Sequence, residues 1–115
     1  MKEIKAYMRL KKVEEVIHTL EDAGVPGFTV IEVKGLGKAS VPEQEQYSIE
    51  FAEMVSTIAK LEVVCNDEDV ERLVNVIRET AYTGHRGDGM IFVSGIDNAV
   101  KIRSGERDDD ALRPH

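Results

Sequence analysis

The sequence predicts an α+β fold, a single antiparallel sheet with two helices on one of its faces. Three observations carry this. Two strand–helix–strand units follow one another, a gap of more than twenty residues separates them, and each helical segment has one apolar stripe. In the first unit, Glu3 to Arg9 alternates, with Ile4, Ala6 and Met8 on one face and Lys5, Tyr7 and Arg9 on the other. A period of two makes this a half-buried strand. Val13, Val16, Ile17 and Leu20 then recur at helical spacing. Gly24 is placed to take the left-handed position that ends the helix, and Pro26 follows. Phe28 to Lys34 is rich in β-branched residues and makes a second strand, closed by Gly35 and Gly37.

The pattern then repeats. Ala59, Leu61, Val63 and Cys65 alternate with Lys60, Glu62 and Val64 as a third strand. Asn66 is placed to cap a helix whose first turn carries Asp67, Glu68 and Asp69, where the helix dipole favours anions. Val70, Leu73, Val74, Ile77 and Ala81 form its apolar stripe. A Gly-rich turn, Thr83 to Gly89, leads into a fourth strand at Met90 to Val93, and Ala99 to Arg103 reads as a short fifth. The split pair of βαβ units suggests a ferredoxin-like sheet. The gap from Leu36 to about Ile58 is either a tolerated surface insertion or a segment that orders when a partner docks, with a weak helix around Glu45 to Val55. The polar tail, Ser104 to His115, is expected to fray, and its Asp108 to Asp110 run reads as solvated.

Composition narrows the function. The chain has 115 residues and 12.8 kDa, enough for one domain with one core. Fifteen Lys and Arg against 22 Asp and Glu give a formal charge of −7, which argues against non-specific nucleic-acid binding. No apolar run approaches a membrane span, and the opening MKEIKAYMRLKK has no signal-peptide core. One Cys excludes an internal disulfide, and the CxxC spacing of a zinc site is absent. A cytoplasmic domain that needs no metal is the expectation.

The catalytic inventory is thin. His18 lies near the apolar stripe of the first helix and reads as boundary packing, and His115 is terminal. Ser40, Ser48 and Ser56 have no evident His partner. Cys65 falls on an inward strand face as an inert thiol, and the Glu50 and Glu53 pair lacks a pocket. No enzyme is inferred.

The most distinctive string is Gly84-His85-Arg86-Gly87-Asp88-Gly89. It has the GxxxxG spacing of a phosphate-binding loop, but Met90 and Ile91 replace the Lys and Ser/Thr, and it runs from helix to strand. Two readings remain: an anion nest of outward-turned amides, to which His85 can add a donor, or a tight connection. Gly35-Leu36-Gly37-Lys38 is a weaker glycine motif. Lys101 and Arg103, at i and i+2 on the expected last strand, share a face and either hold a phosphate or face solvent.

Three strings together resemble the PII signalling family. Thr83 to Val93 is similar to its TGxxGDGxIFV signature, Lys101 to Glu106 to its RIRTGE ending, and Thr29 to Gly37 to its TVxEVKGxG. The resemblance covers essentially the whole chain, 1–115, as a single domain. It implies a homotrimer with adenine-nucleotide sites in the clefts between subunits. A T-loop (about 36–58), a B-loop (83–90) and a C-terminal segment (99–115) are the parts it names. Nucleotide contacts would fall on Thr29, Gly37, Lys38, Val64, Gly87, Asp88, Gly89, Met90, Lys101, Ile102 and Arg103, with His85 near the phosphates. The effector would be ADP, ATP or AMP, with Mg²⁺ accompanying ATP. A partner, a membrane transporter or an enzyme, would be regulated through the T-loop, with no insertion of this chain into the membrane.

Departures from the family pattern sharpen the expectation. Met90 stands where a Lys usually follows GDG, Ala39 where a Gln usually helps hold Mg²⁺ with 2-oxoglutarate, and Ile58 where a Lys usually pairs with the 2-oxoglutarate carboxylate. Phe51 replaces the Tyr that is modified in many relatives, with Tyr47 nearby but outside that motif. A sensor of adenine nucleotides without 2-oxoglutarate binding is therefore expected. The alternative is a conventional nitrogen regulator that binds ATP and 2-oxoglutarate.

Overall fold

In the computed structural model the described residues are 1–36 and 55–113. Four strands form one antiparallel sheet: β1 (Lys2–Arg9), β2 (Thr29–Leu36), β3 (Val55–Cys65) and β4 (Gly89–Gly95), in the order β2-β3-β1-β4. Two helices, α1 (Val13–Asp22) and α2 (Val70–Ala81), cover one face. A 3₁₀ turn, Leu10–Lys12, feeds α1 and another, Asp67–Asp69, feeds α2. This is the α+β, ferredoxin-like arrangement that the repeated strand–helix–strand pattern predicts.

The alternation on β1 and β3 explains the core. Ile4, Ala6 and Met8 pair with Val63, Leu61 and Ala59, so six small or apolar side chains tile the covered face. Val16 and Leu20 of α1 and Leu73, Ile77 and Ala81 of α2 close over them. Helix α1 ends as its glycine predicts. Gly24 has φ +88°, its amide donates to the Glu21 carbonyl, and the Val25 amide reaches back to the Leu20 carbonyl, both at 3.0 Å. Arg72 of α2 donates to the Ala23 carbonyl at 2.7 Å and ties that helix end to the second unit.

Several expectations are corrected. The β2–β3 ladder extends past Lys34 and Ala59 to Leu36 and Val55, so Gly35 does not end β2 but sits in register with Ser56. Asn66 precedes a 3₁₀ turn and its side chain makes no capping bond; α2 itself starts at Val70. His18 is not packed at the boundary: its side chain is 69% exposed, 3.7 Å from Glu21. The fifth strand at Ala99 to Arg103 does not form. Only Val100 bridges, to Arg107, while hydrogen bonds between Lys101 and Glu106 and from Gly105 to Lys101, each 2.8 Å, fold 101–106 into a turn. Gly105, at φ +75°, permits that reversal. The tail is not frayed up to 113. Asp108 exchanges bonds with Ala99 through its amide and its carboxylate, and a single-turn helix, α3 (Asp109–Leu112), follows. His115, Ser40, Ser48, Glu50, Glu53, Tyr47, Phe51 and Ala39 lie outside the described residues.

Candidate functional site

The Gly-rich turn between α2 and β4 is built around one carboxylate. Asp88 accepts the Thr83 amide at 2.8 Å and the Gly84 amide at 2.9 Å on Oδ2, and the Thr83 hydroxyl and Arg9 Nε (3.0 Å) on Oδ1. The Thr83 hydroxyl in turn accepts the His85 amide at 3.2 Å. Arg9 Nη2 donates to the Arg86 carbonyl at 2.6 Å, so one guanidinium grips the turn at two points. Partial burial pushes the Asp88 carboxyl up. The bonds from Thr83, Arg9 and Gly84 outweigh it and hold the group well below the usual carboxylate range.

The glycines have separate tasks. Gly84, Gly87 and Gly89 all take positive φ, at +85°, +95° and +115°. At Gly89 the turn also presses onto β1: a Cβ there would lie 1.8 Å from the Tyr7 carbonyl oxygen. Only glycine meets both demands. Of the two readings of this loop, the tight connection accounts for the Thr83 and Gly84 half, and a nest could only be formed by the rest. The amides of Thr83 and Gly84 point inward to Asp88, and an external anion would have to be met by the Gly87 to Gly89 segment.

Arg9 was missed in the sequence. It reads only as one outward residue of an alternating strand, and its contacts lie 77 and 79 residues away. The available signal was a lone Asp in a glycine turn, which needs a partner to be held there.

The expected site residues divide into two groups. Gly87, Asp88, Gly89 and Met90 lie at the end of the sheet where β1 finishes, with Gly89 opposite Met8. Val64 lies opposite Glu3 near the other end, five residues away along β1, roughly 17 Å at the rise of a strand. Thr29, opposite Glu62, is on the far edge strand, three strands or about 14 Å across from β4. Lys101 belongs with the Val64 end: its Nζ is 3.2 Å from the Arg113 carbonyl, and Arg113 lines a cleft of about 550 Å³ with Met1, Val64, Asn66 and Arg72. Ile102, fully exposed, and Arg103 stand at the tip of the 101–106 turn, so the shared strand face expected for Lys101 and Arg103 does not exist. Gly37 and Lys38 lie outside the described residues. His85 is exposed, and its side chain makes no hydrogen bond among the described residues.

Met90 is 59% exposed on the uncovered face of the sheet, directly opposite Tyr7, whose ring meets Phe92 edge-on at 6.1 Å between centroids. The position after the GDG turn therefore presents a thioether beside aromatic rings. Cys65 is buried, and burial pushes its thiol up, away from the reactive thiolate. Among the described residues no group of three His, Cys, Asp or Glu side chains is placed to hold a metal ion, and no helix is long and apolar enough to cross a membrane.

Comparison with known proteins adds to this geometry. A family model described as nitrogen regulatory protein P-II matches residues 1–106. The chain is 44% identical over 106 residues to nitrogen regulatory protein P-II 2 of Methanothermobacter thermautotrophicus, covering 92% of each chain. It is 40% identical to nitrogen regulatory protein P-II of Bradyrhizobium diazoefficiens and 38% identical to that of Azospirillum brasilense. Each match spans 116 residues, 97% of this chain and 100% of the relative.

Proposed function

Because this chain belongs to the nitrogen regulatory protein P-II family, whose members are regulatory signal transducers and not enzymes, we propose that it senses adenine nucleotides between the subunits of a homotrimer. The nucleotide state would pass to a partner protein in the cytoplasm, a membrane transporter being the partner we favour. The observation that carries this reading is the division of the candidate residues. One copy offers Gly87, Asp88, Gly89 and Met90 at one end of its sheet, and Thr29, Val64, Lys101, Ile102 and Arg103 away from it. A second copy supplies the missing half. Phosphates would meet the amides of the glycine turn in one protomer and the cations of the 101–106 turn in the next. Gly37 and Lys38, beyond the end of β2, would carry the state of the site into the T-loop.

Met90 adjusts the preference. A cation lost from beside a highly charged ligand costs on the order of 1–3 kcal/mol, felt most by the nucleotide with most phosphates. ADP and AMP are therefore favoured relative to ATP. Thermal unfolding tests the proposal: ligand held at a hundred times its dissociation constant stabilises the folded state by about 2.7 kcal/mol. A raised midpoint with ADP is expected, and unchanged midpoints with ADP, AMP and Mg·ATP at millimolar concentration would exclude it.

A second reading is favoured by the full-length similarity to proteins called nitrogen regulatory. It is a conventional nitrogen regulator that binds Mg·ATP together with 2-oxoglutarate and acts on an ammonium transporter or a nitrogen-metabolism enzyme. Against it stand Ala39, Ile58 and Met90, which offer no polar group where those ligands need one. Calorimetry separates the two. Cooperative binding of 2-oxoglutarate with Mg·ATP would select the conventional regulator.

A further inference from the structure

We propose that Arg9 is a positioning residue of the nucleotide site: from the end of β1 it holds the glycine turn in its binding shape without itself meeting the ligand. The inference rests on the nucleotide reading above. The turn carries three glycines at positive φ within six residues, and glycine has more conformational freedom to lose than any other residue. Left untethered, such a turn must be ordered by its ligand, and that ordering is subtracted from affinity. Arg9 adds to the ordering that the Asp88 bonds to Thr83 and Gly84 begin. Its own backbone is held in the ladder opposite Ile58, and its side chain is only 29% exposed. Two of its donors reach two different turn residues, the Asp88 carboxylate at 3.0 Å and the Arg86 carbonyl at 2.6 Å.

Geometry and charge both assign this role. A guanidinium is a rigid fork, so bonds from Nε and Nη2 fix the orientation of the turn as well as its distance. Lysine has one nitrogen and offers a point charge in place of the fork. The Arg9 charge is moreover neutralised by Asp88, whose other bonds draw in the Thr83 and Gly84 amides. What remains for an anion is the shape of the Gly87 to Gly89 segment, and Arg9 sets that shape. Arg9 also stands three ladder positions from the Leu36 and Val55 pair, where the described strands end.

The test uses the full chain and its Arg9→Lys and Arg9→Met variants. ADP affinity is measured by calorimetry at a temperature where all three are folded, and amide exchange over residues 83–89 is followed without ligand. Arg9→Lys keeps the charge and loses the fork. We expect it to weaken ADP binding roughly ten-fold, the equivalent of one hydrogen bond to a charged group, and to speed exchange of the Thr83 and Gly84 amides. Arg9→Met weakens binding further, because it also removes the positive charge paired with Asp88. Wild-type affinity in Arg9→Lys would overturn the positioning role and leave the nucleotide reading standing. No ADP binding by the wild-type chain would remove the nucleotide reading, and this inference with it.

Discussion

Asp88 and Gly89 show how much of the candidate site depends on single atoms. Gly89 combines φ +115° with a 1.8 Å approach of its missing Cβ to the Tyr7 carbonyl. Gly89→Ala therefore has to move β1 or the turn, and we expect a loss of at least about 2 kcal/mol in urea unfolding. Asp88 gives a pH signature. Its folded carboxyl is held well below the usual range, whereas in the unfolded chain it titrates near about 4. The stability it contributes is full above that value and declines as pH falls below it towards the folded pKa. The wild-type chain should thus be more stable than Asp88→Asn at pH 7, with the difference shrinking between pH 4 and pH 2. A constant difference across that range would contradict the bonding described. The glycines of this turn were legible, because left-handed backbone is a local demand. The Arg9 partner was not, because it exists only once β1 and β4 are in register.

The same divide between local and long-range information runs through the elements. Strands β1 and β3 and both helices were legible from periods of two and 3.6, since one face of each must leave water. The Gly24 helix end was legible for the reason that Gly89 was. The segment 99–103 misled because its alternation of apolar and charged residues imitates a strand. What decides it is Gly105 and the bonds from Lys101 to Glu106 and from Gly105 to Lys101, which close the chain back on itself and leave only the Val100 to Arg107 bridge. Asp108 likewise orders the tail through Ala99, nine residues back, a contact that the polarity of the tail conceals. The packing of α1 has a direct test. Leu20 is fully buried between the helices and the sheet, so Leu20→Ala should cost about 2–5 kcal/mol in urea unfolding. A cost under 1 kcal/mol would mean that α1 is not seated as described.

At the scale of the whole molecule, the uncovered face of the sheet is the unfinished surface. Tyr7 and Val64 lie on it half-buried, and Ile31, Met90 and Phe92 are exposed there, Phe92 at 55% and Met90 at 59%. A single chain leaves these side chains in water between Lys5, Lys60 and Glu62, and the proposed trimer offers a way to bury part of this face. Light scattering should give three times the 12.8 kDa protomer mass. Phe92→Glu, which places a charge on the β4 edge of this face beside Tyr7, should lower that mass and weaken ADP binding together. Separation of the two effects would detach ligand binding from assembly. A crystal structure of the full chain grown with ADP tests the central claim most directly. The account predicts ADP in the seam between two copies, its phosphates against Gly87 to Gly89 of one and within reach of Lys101 or Arg103 of the other. ADP held wholly within one copy, or seams left empty at saturating ADP, would contradict it.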